Sequence, residues 1–157
     1  MHRWFLAGCR PYLALDITFL TGKYKGQLAS ACAVDGHKWL YLVCFEVFDS
    51  ETTENWIWFM SHLREAIESP RGLTICTDVG HAVMVGVGEV FPGAKHRERM
   101  FHLVTNFNKR YHGKVFDDHL WAAAYSWNPY LFEKHWLAMK NAKPAATNWL
   151  RKTHKKL

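Results

Sequence analysis

The segment LALDITFL, residues 13–20, places a carboxylate at the midpoint of an apolar β-strand. Leu13, Leu15 and Ile17 alternate with smaller or polar residues, which predicts a strand. No Gly or Pro interrupts the run, so a turn does not account for Asp16. An ionised Asp without a partner is costly inside a core. Asp16 is therefore expected either at an open sheet edge near water or beside a cation.

The composition is that of one globular domain. A chain of 157 residues can bury a real core but is short for two ordinary domains. With 49% hydrophobic and 22% charged residues it does not resemble a disordered chain. No apolar run approaches the roughly 18 residues that a membrane span needs, and no secretion signal is visible. The four cysteines form no C-x-x-C pair, which favours free thiols in a reducing compartment.

The net charge of +6 would suit an acidic partner such as nucleic acid. The charge is uneven, because the basic tail at residues 151–156 carries four positive charges. Without this tail the rest of the chain is only mildly basic, so the tail could equally serve solubility. Charge alone leaves both interpretations open.

The pattern over the first half predicts a mixed sheet. Strands are expected at residues 12–20, 27–34 and 38–48, joined by a Gly-containing turn and by the hairpin signal Asp35-Gly36. An acid-rich segment at 49–54 then opens an amphipathic helix, and a buried strand follows at 73–77. Three antiparallel strands, a crossover helix and a parallel strand give an α/β fold with helices on the faces of the sheet.

The second half is predicted to be mainly helical. A helix is expected over 80–91 and a short strand near 94–97. Further helices are expected over 98–111, 116–126 and 129–141, with a last helical piece after Pro144.

Two carboxylates stand where this topology could bring them together. Asp16 lies in the first strand, and Asp78 follows the fourth strand at its C-terminal end. Ligand sites in α/β sheets generally form at the carboxyl ends of parallel strands. Two adjacent carboxylates repel each other unless one is protonated or both share a divalent cation, and Mg²⁺ suits such a pair. Each Asp taken alone is equally compatible with a capping or edge role.

Two blocks of the chain resemble the catalytic core of Mutator-like element (MULE) transposases. The first block has a C-R-P lead, an Asp in a strand, a Gly- and Lys-containing turn and an acid-rich helix start: Cys9-Arg10-Pro11, Asp16, Gly22 to Leu28 and Glu51 to Trp56. The second has a strand ending in Asp, an F-P-x-A segment and two His-containing motifs: Asp78, Phe91 to Ala94, His96-Arg97 and His102 to Phe107. In this order and spacing the resemblance runs from about Cys9 to Leu150.

The resemblance implies a ribonuclease H-like fold and a DDE active site for Mg²⁺- (or Mn²⁺-) dependent DNA strand cleavage and transfer. Asp16 and Asp78 would be the catalytic metal ligands, and His102 would support them. DNA, as transposon ends and target, is the implied partner, with a possible homo-oligomer, no membrane and a location in the nucleus. Residues 1–112 would form the core, and 113–157 the start of a helical insertion plus the basic tail.

The chain departs from the family pattern in ways that bear on catalysis. The family has Cys or Asp three positions before the motif His, where this chain has Arg99. The third acid of the family, a Glu in an Asn-x-x-Glu motif, is absent, and Glu133 is the nearest internal substitute. The N-terminal DNA-binding and C-terminal zinc-binding regions of the family are also not in this sequence. We therefore expect a truncated transposase core that is weakly active or inactive alone.

A second class of function stays open from the sequence. Arg99, the missing third acid and the basic tail favour a domesticated module that binds DNA or a partner without catalysis. The retained Asp16 and Asp78 favour the enzyme-derived site. A decaying reading frame with no selected role is a third possibility.

Overall fold

The computed structural model describes residue 5 and residues 7–153, which include a five-stranded sheet and the helices named below. The strands are β1 (Cys9–Phe19), β2 (Gln27–Asp35), β3 (Leu40–Phe48), β4 (Thr74–Thr77) and β5 (Lys95–Glu98). The helices are α1 (Thr53–Ile67), α2 (His81–Val90), α3 (Met100–Asn108), α4 (Lys114–Ala124), α5 (Pro129–Ala142) and α6 (Pro144–Thr153). Every predicted helix and strand is present, with ends that differ by a few residues.

The sheet has the order β3-β2-β1-β4-β5. β1 pairs with β2, and β2 with β3, in antiparallel register, whereas β4 runs parallel to β1. The predicted ribonuclease H-like arrangement of three antiparallel strands, a crossover helix and a parallel strand is confirmed. Because β1 is the central strand of five, the sheet-edge explanation for Asp16 is wrong.

The crossover helix α1 is specified by its cap and its apolar stripe. The hydroxyl of Thr52 accepts the backbone N–H of Asn55 at 3.2 Å, and Glu54 lies in the first turn, where the helix dipole favours an acid. The buried face then follows at helical spacing: Trp56, Phe59, Met60, Leu63 and Ile67. This face and α2 cover one side of the sheet and form its core.

The two faces of the sheet differ in burial. On β1, Leu13 and Leu15 are fully buried in the core. Asp16, the next residue along the strand, is half-buried. Asp16 is paired with Ser30 of β2, which in turn is paired with Phe45 of β3, and 62% of Phe45 is exposed. The row to which Asp16 belongs is therefore on the face away from the helical core, so its charge does not have to be placed in an apolar interior.

Residues Glu98–Leu157 form a second compact unit with its own core, separate from the unit Met1–Arg97. The core is built from α3, α4, α5 and α6, and its buried side chains include Phe107, Leu120, Trp136, Met139 and Leu150. The predicted division of the chain into a core at 1–112 and the start of a helical insertion with a basic tail at 113–157 stays a prediction. No helix within the described part of the chain is long and apolar enough to cross a membrane.

Helices α1 and α2 approach closely at Gly86. A β-carbon there would lie 3.3 Å from both the Met60 sulfur and the Trp56 β-carbon. We expect Gly86→Leu to lower the free energy of unfolding by about 1–3 kcal/mol, because the added side chain has no room in the packed interface. Chemical denaturation monitored by circular dichroism measures the change.

Gly88 offers the matched control on the same helix. It is exposed, and nothing lies within 4 Å of an added β-carbon. Gly88→Leu is expected to be neutral or stabilising by up to ~1 kcal/mol, because Leu favours helix more than Gly does. Equal effects of the two substitutions would contradict the close packing of α1 on α2.

Candidate active site

The register of β1 and β4 relates Asp16 to Asp78. The paired residues Tyr12 and Thr74, then Ala14 and Cys76, are each 62 positions apart, and Asp16 and Asp78 have this same separation. Both aspartates lie two residues beyond the last pair, Asp16 within β1 and Asp78 directly after the carboxyl end of β4. Adjacent strands of a sheet lie about 4.8 Å apart. Continued two residues past the last pair, this register would bring the two predicted site residues to the same level of the sheet, and both are half-buried.

Asp78 is held at the end of β4 by local hydrogen bonds. Its Oδ1 accepts the backbone N–H of Gly80 at 3.1 Å, and Gly80 is the N-cap of α2. The preceding residue, Thr77, is fully buried, and its hydroxyl donates to the Asp78 carbonyl. The same hydroxyl lies 2.8 Å from Nε2 of His96, so His96 is the donor in that bond and carries its proton on Nε2. These bonds fix the strand end from which the carboxylate projects.

Glu51 is a residue near the site that the sequence reasoning missed. A β-carbon on Gly80 would lie 3.1 Å from Oδ1 of Asp78 and 3.4 Å from Oε1 of Glu51. These two carboxylate oxygens are therefore within about 6.5 Å of each other, the sum of the two distances. The Glu51 oxygen also accepts the indole N–H of Trp56 at 3.0 Å. The signal in the sequence was the acid placed five residues before a Trp at the helix start.

The side chains at this place supply carboxylate oxygens. In the part of the chain that the structure describes, no three His, Cys, Asp or Glu side chains are grouped so that they could hold a metal ion together. Mg²⁺ commonly uses only one or two carboxylates and completes its shell with water and phosphate oxygens. The carboxylates of Asp16 and Asp78 are ligands of the kind that the implied ion uses, and their role as a two-carboxylate site stays a prediction.

The other residues singled out from the sequence lie in the second compact unit. Arg99 is the N-cap residue of α3, and its side chain makes no capping hydrogen bond. His102 lies half-buried in the first turn of α3, with its ring edge-on to Phe101. Glu133 is exposed on α5. The supporting role of His102 and the substitute role of Glu133 stay predictions.

The sequence profile of the MULE transposase domain matches residues 12–106. This chain belongs to the MULE transposase family. The match covers more than half of the chain and includes both Asp16 and Asp78, so the predicted family is confirmed.

Two solved structures are similar to this MULE chain at low identity. The HTLV-2 integrase catalytic core domain in complex with magnesium, in its dimeric form, is 16% identical with a TM-score of 0.40, over 82% of this chain and 85% of the integrase chain. The catalytic domain of the Mos1 mariner transposase is 12% identical with a TM-score of 0.38, over 90% of this chain and 78% of the transposase chain. No curated protein matches the chain significantly.

Thr77→Val tests how the strand end is held. The substitution keeps the shape of the side chain but leaves the Asp78 carbonyl and the His96 Nε2–H without their buried partner. We expect the free energy of unfolding to fall by roughly 1–3 kcal/mol. The measurement is chemical denaturation, combined with the ring ¹⁵N and ¹H resonances of His96.

Thr77→Ser is the control, because it keeps the hydroxyl and removes one methyl group, worth about 0.8 kcal/mol. It should leave the Nε2–H resonance of His96 in place, whereas Thr77→Val should remove or shift it. An unchanged His96 resonance in both variants would disprove the hydrogen bond.

Proposed function

We propose that this chain is the catalytic core of a transposase that acts on DNA through a divalent cation held by Asp16 and Asp78. The observation that carries the proposal is the common 62-residue separation of the β1–β4 pairs and of the two aspartates. The membership of the chain in the MULE transposase family supports the reaction class, DNA strand cleavage and transfer. Such a role would place the protein in the nucleus, with transposon ends and target DNA as its substrates.

Each residue around the proposed site would have a separate role. Asp16 and Asp78 would hold Mg²⁺ or Mn²⁺ through carboxylate oxygens. Bound there, the ion would supply a Lewis acid next to the scissile phosphate and lower the pKa of an attacking water or hydroxyl group. The N–H of Gly80 orients Asp78, and Glu51 adds negative charge beside it. The Glu51 carboxylate would raise the affinity of the site for a cation through Coulombic attraction.

We expect weak cleavage by this chain on its own. Transition-state stabilisation in phosphoryl transfer depends on charge that is already in place before the reaction. The described residues supply two aligned aspartates and a neighbouring Glu51 but no grouped set of three ligands. The chain should therefore bind a divalent cation and DNA more readily than it cuts DNA.

The net charge of +6 supports DNA as the partner, because each contact between a Lys or Arg and a phosphate releases counterions. The same charge supports the alternative function, a module that binds DNA or a protein without catalysis. The two functions differ in one respect: the transposase core needs the cation at the aspartates, and the module does not.

Asp78→Asn separates these functions. The amide keeps the size of the side chain and an oxygen for the N–H of Gly80, but it removes the charge. We expect Mn²⁺ to raise the melting temperature of the native chain, since a ligand at 100 times its dissociation constant stabilises by about 2.7 kcal/mol, and we expect Asp78→Asn to lose this effect. Thermal unfolding over a Mn²⁺ series measures it.

Asp118→Asn is the matched control, because Asp118 is exposed on α4 in the other compact unit. It should keep the full Mn²⁺ effect. If the native chain shows no Mn²⁺ effect and binds DNA with a steep salt dependence that ignores divalent ions, the binding module replaces the catalytic core as the function.

Glu51→Gln tests the contribution of the neighbouring carboxylate. The amide oxygen can still accept the indole N–H of Trp56, so the loop should keep its fold while the charge is lost. We expect the Mn²⁺ affinity to fall by roughly threefold to tenfold. Glu54→Gln, three residues further along and exposed, is the control for general charge effects. An equal loss in both variants would show that Glu51 has no special place at the site.

A further inference from the structure

Helices α4 and α5 bring two histidines together in the second compact unit. Nδ1 of His119 lies 2.8 Å from Nδ1 of His135, and the ring centroids are 5.1 Å apart. The two rings are half-buried and come from adjacent helices joined by residues 125–128. Nothing in the sequence pattern pointed to this pair, because the residues are 16 positions apart on different helices.

The contact requires two different tautomers. One Nδ1 must carry a proton and the other must present a lone pair, so one ring is protonated at Nδ1 and the other at Nε2. If the ring that donates from Nδ1 instead carries its proton on Nε2, the Nδ1 lone pairs of both rings point toward the same position. A cation between them would convert that unfavourable contact into ligation.

The distance between the two Nδ1 atoms is close to the separation of two imidazole nitrogens that bind the same metal ion. Imidazole nitrogens lie about 2.0–2.1 Å from Zn²⁺, so two of them at a tetrahedral angle are roughly 3.3 Å apart. The rings would have to separate by only about 0.5 Å from the observed 2.8 Å. Rotation of two half-buried side chains can provide that distance without moving the helices.

We propose that His119 and His135 form a binding site for a transition-metal cation of the Zn²⁺ type, through both Nδ1 atoms. Neutral imidazole suits Zn²⁺, Cu²⁺ and Ni²⁺, whereas Mg²⁺ prefers oxygen ligands. Because the described residues contain no group of three ligands, water would complete the coordination. The bound ion would link α4 to α5, and both helices contribute buried side chains to the core of this unit. This site does not depend on the proposed function, since its ligands and its metal differ from those of Asp16 and Asp78.

Calorimetric titration of the full chain with Zn²⁺ at neutral pH tests the proposal. We expect binding to the native chain, and a loss of affinity of about tenfold or more in both His119→Ala and His135→Ala. His112→Ala is the matched control, because His112 is an exposed histidine of the same unit. The cysteines all lie before residue 98, and any Zn²⁺ that they bind is common to all the variants.

A second measurement on the native chain keeps the test valid if a variant fails to fold. Zn²⁺ should shift the ring ¹⁵N resonances of His119 and His135, and Mg²⁺ at the same concentration should leave them unchanged. Unshifted ring resonances, or equal Zn²⁺ affinity in the native chain and both variants, would overturn the proposal and leave the pair as a hydrogen bond between helices.

Discussion

The parallel pairing of β1 with β4 is the constraint on which the candidate active site depends. These strands are separated in sequence by two antiparallel strands and by the crossover helix α1. Their side-by-side alignment converts a sequence separation of 62 residues into a common level in the sheet. The apolar residues before each aspartate, Leu13 and Ile75, are buried directly opposite each other and hold that alignment. A slip by one residue would move both strands out of the pattern that the core requires.

The same helical core that stabilises the sheet also positions the groups around Asp78. Trp56 is buried in α1 and reaches back with its indole N–H to Glu51, so core packing fixes a polar side chain at the start of the helix. Gly80 begins α2 and turns its N–H toward Asp78, at a place where a β-carbon would meet two carboxylate oxygens. The starts of α1 and α2 therefore contribute both to the packing of the core and to the position of the carboxylates. A side chain at residue 80 would therefore crowd the two carboxylates.

The two proposed cation sites differ in the chemistry of their ligands. The sheet presents carboxylate oxygens, which suit a hard ion such as Mg²⁺. The helices of the second unit present two imidazole nitrogens, which suit a softer ion such as Zn²⁺. This difference follows from how each unit is built, because a sheet aligns residues of neighbouring strands whereas neighbouring helices bring side chains together along their lengths.

The sequence by itself determined the secondary structure and the family. Strand alternation, the Asp35-Gly36 turn and the stripe of α1 are local patterns with short periods, so they can be read directly from the chain. The importance of Asp16 was also visible, because a carboxylate in an apolar strand breaks a local rule. Only the tertiary structure decided that Asp16 lies on the central strand rather than at an edge, that Glu51 approaches Asp78, and that His119 meets His135. Those contacts join residues from separate elements, and their distances depend on strand register and helix packing, which local patterns do not specify.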